Sequence, residues 1–265
     1  MKNQAEIGIF GGSGLYEFFH NGKWKKVRTS YGKPSDKVFI TEYKGKKIAF
    51  IPRHGRGHKL PPHKINYRAN LYAFKKLGVK TIIAPTAVGS LKPEIKRGDF
   101  VICDQYIDRT RHRKDTFFDK RTVHISAAEP YCPELRKIAI EACQKNNVSV
   151  HKNGTVVVIE GPSFSSRSES NWFNKMGWDV VNMTQYPEVI LARELEMCYV
   201  NISLVTDYDA GLEKEKDIKP VTTDEVIRMF NQNIESVKKV ILDMIEMIPK
   251  KLNCNCNNAL EEAAI

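Results

Sequence analysis

The chain has 265 residues, 42% hydrophobic and 28% charged, with a net charge of +11 and six cysteines. That apolar share supports a large core, yet no apolar run reaches the roughly 18–20 residues of a helical membrane span. The lysines are scattered in short groups such as "NGKWKK", "KGKK" and "VKKV" with no aromatic–basic RNA motif. This argues against a nucleic-acid face and for a field that attracts anions.

The N-terminus, "MKNQAEIGIF", carries no signal-peptide pattern and enters a strand near 6–11, so a cytoplasmic protein is expected. The strand runs into "GGSGLYEF". A P-loop would need a lysine after its last glycine, and none follows Gly14 until Lys23. A dinucleotide fingerprint would need a third glycine where Glu17 stands. Two readings remain for the glycines: a tight turn using positive φ, or a backbone cradle in which Ser13 and neighbouring amides hold a free anion.

Strands near 37–42 and 46–51 follow, and the second opens into "IPRHGRGHKL". Arg53 and His54 then stand at a strand's C-terminal end, where α/β folds place ligands. Arginine's planar fork suits phosphate. A helix over "NYRANLYAFKKLG" leads to a strand near 80–85, which ends at Thr86, Ala87 and a Gly89–Ser90 turn. After a strand near 99–103, residues 105–129 read as an irregular, charged loop. "CPELRKIAIEACQKNN" has helical periodicity. Strands near 155–160 and 179–182 open into "EGPSFSSRSES" and "NMTQYPEVILARE", the latter entering a helix over 186–197. The strand at 199–206 ends in "TDYDAG", whose acids Asp207 and Asp209 suit acid–base work or recognition of an amino-substituted ring. Too few further oxygen ligands stand near them for a divalent cation. A long amphipathic helix, "TTDEVIRMFNQNIESVKKVILDMIEM", completes the main body.

Alternating strands and helices indicate a single α/β domain over 1–250, with a central mixed sheet flanked by helices. Residues 251–265 read as a tail carrying Cys254-x-Cys256. Zinc would need further ligands there, and no second cysteine pair or nearby histidine stands in the sequence. A disulfide and two exposed thiols remain as readings. Cys103, Cys132, Cys143 and Cys198 read as ordinary buried thiols.

Taken together, "GGSGLY", "RHGRGH", "PTAVGSL", "EGPSFSSRSES", "VNMTQYPEVILARE" and "TDYDAG" resemble, in order, the trimeric purine nucleoside phosphorylase family over about residues 6 to 248. The resemblance is strongest to the branch acting on 5'-methylthioadenosine. It implies phosphorolysis of that nucleoside to adenine and 5-methylthioribose 1-phosphate, and of adenosine as a second substrate. Inosine or guanosine cleavage is the alternative. It further implies phosphate held by Ser13, Arg53, His54, Thr86, Ala87 and Thr184, and sugar packed over Met183. The base would lie beside Phe164, with Ser165, Asp207 and Asp209 at its edge and the two aspartates as the catalytic acids.

Thr223 and Val226 would line the 5' pocket, completed by His124 of a neighbouring subunit in a homotrimer or a hexamer of two trimers. No cofactor or metal is implied, inorganic phosphate being a co-substrate. Threonine at 223 departs from the apolar residue common in this branch and opens the pocket to a 5'-hydroxyl. Ser163 departs from a common arginine, with no functional account. Because adenine presents an amino donor, the two aspartates favour it over a 6-oxopurine.

Overall fold

Alternation along single strands sets the layers. The computed structural model describes residues 4–12, 21–210, 212, 220–261 and 263. Among them the strands are β1 Ile7–Gly11, β2 Lys23–Lys25, β3 Val38–Tyr43, β4 Lys46–Pro52, β5 Thr81–Ser90, β6 Phe100–Val101, β7 Gln105–Arg109, β8 Val150–His151, β9 Thr155–Ile159, β10 Val180–Asn182 and β11 Cys198–Asp207. The helices are α1 Tyr67–Leu77, α2 Pro133–Lys145, α3 Arg167–Lys175, α4 Gln185–Glu194 and α5 Thr223–Met247. In β1, Phe10 joins one buried cluster while Ile7 and Ile9 join another. In β4, Ala49 and Ile51 go with the first, Ile48 and Phe50 with the second. Successive side chains leave opposite faces of a strand, so the two clusters sit on opposite sides of one sheet. Leu71, Phe74, Val189 and Leu191 bring α1 and α4 onto the first side. Leu135, Ala139, Val237 and Ile241 bring α2 and α5 onto the second.

The sheet runs β2-β3-β4-β1-β5-β10-β9-β7, with β11 also pairing β5 and linking through β6 to β8. Parallel pairs (β1 with β4 and β5, β5 with β11, β9 with β7 and β10) mix with antiparallel ones such as β3–β4 and β5–β10. The expected α/β architecture with a mixed sheet is therefore present. β5 is the hub. It pairs with β1 at its start and follows β11 from Thr81↔Cys198 to Gly89↔Asp207.

Local chemistry marks the element ends. Asn66 caps α1 by accepting from the Ala69 amide, and Gly78 closes it at φ 92. Ser166 and Glu169 form a capping box on α3. Lys44 and Gly45, both at positive φ, make the two-residue hairpin between β3 and β4.

Several elements depart from the sequence reading. Residues 105–129 begin with β7, which pairs in parallel with β9. α3, β2 and β8 are additional, and β5 runs on to Ser90. The tail packs back on the body: Cys256 is buried, Cys254 half-buried, and the Ala263 carbonyl accepts the His124 amide at 2.7 Å. No helix among the described residues is long and apolar enough to cross a membrane.

Phe74 is fully buried, with its ring 4.7 Å from that of Phe10 and its edge against Gly8, where a Cβ would come within 2.8 Å. Phe74→Ala is expected to cost about 3–5 kcal/mol, read as a lowered urea midpoint at unchanged slope.

Candidate active site

Four strand ends converge around β5. β4 ends at Pro52, and Arg53 follows with its amide bonded to the Gly11 carbonyl of β1 at 3.0 Å. Halfway along β5, Thr86 lies opposite Ser203 of β11. β10 approaches β5 antiparallel and ends at Asn182, two residues before Thr184, the residue that precedes α4. Thr184 is buried and its hydroxyl makes no capping bond, so its side chain is uncommitted; the helical backbone is interrupted two residues on, at Tyr186 (φ -103, ψ 135).

Arg53 is 3% exposed. Its Nε and one terminal nitrogen donate to the Glu188 carboxylate at 2.7 and 3.0 Å, and the other terminal nitrogen donates to the Pro85 carbonyl at 3.0 Å. Burial works against the guanidinium charge, and Glu188 more than offsets it. Glu188 is fully buried and also accepts from the Tyr199 hydroxyl at 2.9 Å. A guanidinium has five N–H donors, so one hydrogen on each terminal nitrogen stays available beyond these bonds. The sequence reading gave the whole fork to an anion. In the structure most of it belongs to Glu188, a residue that looked like an ordinary polar position in a helix.

His54 donates from Nδ1 to the Leu60 carbonyl at 2.9 Å and stacks on His58 with ring centres 4.1 Å apart. Burial, with the His58 and Arg53 charges adding to it, pushes its pKa down to about 3. The ring is therefore neutral near pH 7, and its Nε2 is an acceptor. Thr86 donates to Asn201 Oδ1 at 3.2 Å, and Asn201 also accepts from Ser203 at 2.7 Å. Gln185 donates to Ser203 at 3.1 Å, and Tyr131 to Gln185 at 2.6 Å. This buried chain of polar side chains fixes Thr86 against the start of α4, and the sequence reading named only its first member. Ala87 is half-buried beside it. Ser13 lies outside the described residues. Of the glycines before it, neither Gly11 nor Gly12 has positive φ, and a Cβ on Gly12 would meet nothing within 4 Å among the described residues. A turn strained toward positive φ is thus not the reason for Gly12.

At the end of β11 the two acids meet. Asp207 Oδ2 accepts from Thr206 at 2.8 Å and Oδ1 from the Asp209 amide at 2.8 Å. Burial pushes Asp207 up to about 6; those hydrogen bonds oppose the rise and the Asp209 charge adds to it. Asp209, at φ 49, is raised by burial as well, with the Ser170 and Ser165 hydroxyls acting against the rise. Asp209 Oδ2 and Ser165 Oγ are nevertheless buried with no well-formed hydrogen bond among the described residues. Both are polar atoms with bonding capacity to spare at one spot.

The remaining residues scatter around this centre. Phe164 is 41% exposed, uncommonly so for a phenylalanine, and Ser163 beside it is also exposed. Met183 is half-buried, and its sulfur occupies the space a Cβ on Gly161 would need, at 2.5 Å. Thr223, in the first turn of α5, is exposed and Val226 half-buried. His124 is exposed, and the contact that holds its backbone is with Ala263.

Residues 6–246 match the model of the phosphorylase superfamily. The chain is 50% identical to an S-methyl-5'-thioadenosine phosphorylase of Thermofilum pendens, over 99% of both chains. Its structure is similar to a methylthioadenosine phosphorylase from an antarctic soil metagenomic library, with a TM-score of 0.93, 40% identity, and coverage of 100% of this chain and 93% of that one. It is also similar to a variant of the adenosine/methylthioadenosine phosphorylase of Schistosoma mansoni in complex with adenine. There the TM-score is 0.88 and the identity 36%, over 94% of this chain and 93% of that one.

Two substitutions probe the site. A Cβ at Gly89 would stand 2.7 Å from Asp207 Oδ1 and 3.1 Å from the Asp209 amide nitrogen. Gly89→Ala is expected to displace Asp207 and lower turnover by on the order of 10²-fold, with an unchanged far-ultraviolet spectrum. Glu188→Ala leaves Arg53 charged and unpaired in the interior and is expected to cost about 3–5 kcal/mol, measured by equilibrium denaturation.

Proposed function

The chain belongs to the phosphorylase superfamily, and from that premise we propose that it cleaves 5'-methylthioadenosine with phosphate, giving adenine and 5-methylthioribose 1-phosphate, and accepts adenosine as a second nucleoside. The observation that carries the choice of base is the pair Asp207 and Asp209 at the end of β11. One is held near pKa 6, and the other has a buried oxygen with no well-formed hydrogen bond among the described residues. A purine fits such a pair through its edge. Asp207, when protonated, donates to N7, while the aspartate oxygens accept from the N6 amino group. A 6-oxopurine would turn an acceptor toward them and leave buried oxygens unpaired, which sites of this kind reject strongly.

The proposed roles follow the strand ends. Thr86, the Ala87 amide, Thr184 ahead of α4 and the free hydrogens of Arg53 hold phosphate, with the Ser13 hydroxyl as a further donor. Neutral His54 accepts from the P–OH of hydrogen phosphate. Met183 packs under the sugar and Phe164 covers the base. A phosphate oxygen then forms a bond to the anomeric carbon as the bond to N9 breaks, and the electron pair leaves with the base. Holding both reactants makes the step effectively unimolecular, and the dianion stabilises the cationic sugar in the transition state. Asp207 protonates N7 of the departing purine and is reprotonated, so that in net the proton of hydrogen phosphate ends on adenine. These residues meet the demands of the step without a resident cofactor or metal.

The 5' group is assigned to Thr223 and Val226 at the head of α5. An apolar methylthio group suits Val226, and the Thr223 hydroxyl makes room for a 5'-hydroxyl. His124, exposed on its own protomer, completes this pocket from a neighbouring subunit of a trimer, or of a hexamer of two trimers. The six free thiols suit a reducing, cytoplasmic setting.

The test is phosphate-dependent release of base from methylthioadenosine, adenosine and inosine at equal concentration. Adenine from the first two, and nothing without phosphate, is the expected result; cleavage of inosine alone would overturn the base assignment. The pH dependence carries its own sign. The protonated form of Asp207 is the reactive one, so kcat/KM falls about tenfold per unit as pH rises above about 6. Asp207→Asn, which cannot give up a proton, lowers kcat by about 10²–10⁴-fold and removes that limb, leaving only the titration of phosphate itself.

A further inference from the structure

Four cysteines that the sequence scatters come together on the side of the sheet away from α1 and α4. Cys132 directly precedes α2, Cys198 opens β11, and Cys254 and Cys256 belong to the C-terminal segment. Their sulfurs all lie within 4.8 Å of one another, with Cys132 to Cys254 at 3.7 Å and Cys198 to Cys254 at 3.4 Å. This overturns the expectation that the C-x-C lacks further ligands and that Cys132 and Cys198 are unremarkable buried thiols. All four are free. A disulfide needs sulfurs about 2.05 Å apart. Four sulfurs about 2.3 Å from a central tetrahedral ion stand about 3.8 Å from each other, and the cluster has that scale.

The surroundings fit an ion as well as the spacing does. Cys132, Cys198 and Cys256 are 1%, 8% and 7% exposed and belong to the apolar cluster beneath α2 and α5, with Cys254 packed against it. The backbone positions of two ligands are fixed before any ion arrives. The Cys132 amide bonds the Tyr199 carbonyl and the Cys198 amide bonds the Lys80 carbonyl, both at 2.9 Å. The Leu135 amide donates toward the Cys132 sulfur from the first turn of α2, where the helix end favours a thiolate. Four soft sulfur donors, with no oxygen or imidazole among them, select a thiophilic ion of tetrahedral habit and reject magnesium and calcium. With every position taken by sulfur, none is left for water or substrate.

We propose that Cys132, Cys198, Cys254 and Cys256 bind one zinc ion, a structural site that clips the C-terminal segment to the start of α2 and the start of β11. Binding releases the thiol protons to solvent and involves no change of oxidation state. The site is separate from the one that cleaves nucleoside.

The full-length protein, purified under reducing conditions with no added chelator, is analysed for metal by mass spectrometry of the elements. About one zinc per chain is expected. Cobalt(II) replacing it is expected to give the intense ligand-field and thiolate charge-transfer bands of a tetrahedral sulfur site. Cys254→Ser, at the half-buried ligand, should lower bound zinc at least tenfold and the thermal midpoint with it, while Cys143→Ser should keep the full metal content. Protein that is folded by circular dichroism yet contains no zinc and takes up no cobalt overturns the proposal. So does a thiol count showing that these four cysteines are paired as disulfides after purification under reducing conditions.

Discussion

A charged guanidinium buried beneath a sheet must have a fixed counter-charge, and this constraint holds the site together. Arg53 leaves the end of β4; Glu188 sits in α4; Tyr199, on β11, supplies the third bond. Taking either ion out of water costs several kcal/mol unless its partner is in place and its remaining valences are filled. Here the Tyr199 hydroxyl and the Pro85 carbonyl fill part of them, and two N–H hydrogens of Arg53 stay available. The pairing therefore joins three separate elements at a single point. It also leaves the guanidinium charge largely compensated, so the proposed phosphate site would offer a dianion oriented N–H groups more than a bare positive charge. Oriented donors in a water-poor setting stabilise charge without reorganising.

The two aspartates show a complementary use of burial. Two positions apart, at and just beyond the end of one strand, they differ in their partners. Asp207 is bound on both oxygens by Thr206 and by the Asp209 amide. Asp209 has a buried oxygen with no well-formed hydrogen bond among the described residues. Gly89 across the pair is the only residue type whose side of β5 leaves room for this arrangement, because any Cβ would strike Asp207. The placement of both aspartates, and with it the roles proposed for them, thus rests on a strand that carries no ionisable group at that point.

Much of this was legible in the sequence because strand ends and their loops are local signals. "PRHG", "NMTQ" and "TDYD" each lie where a strand stops in the structure or just beyond, whereas "PTAVGS" is the second half of β5, so Thr86 and Ala87 stand inside a strand and not at its end. What stayed hidden is what depends on long-range pairing. β7, "QYIDR", alternates poorly and is a strand only because β9 lies beside it. β2 and β8 are too short to show a period, and α3 is short and polar, although its Ser166–Glu169 box was a readable start signal. Glu188 carries no local mark at all, since a glutamate in a helical stretch reads as solvated until the fold buries it. The four clustered cysteines are the extreme case. Cys132 and Cys254 are 122 positions apart, and no spacing rule connects them.

The hub position of β5 has a consequence for how the chain is made. Asn201 of β11 bonds the Ala84 carbonyl across a separation of 117 residues. On a ribosome adding roughly 5–20 residues per second, β5 waits on the order of 6–23 s for the strand that covers its far edge. For that time an apolar, unpaired edge faces solvent, the kind of surface on which nascent chains associate. The strand that carries Asp207 is also the one that ends this exposure. A chain arrested before β11 emerges would be both inactive and adhesive, and rescue by a chaperone that shields strand edges would matter most in that interval.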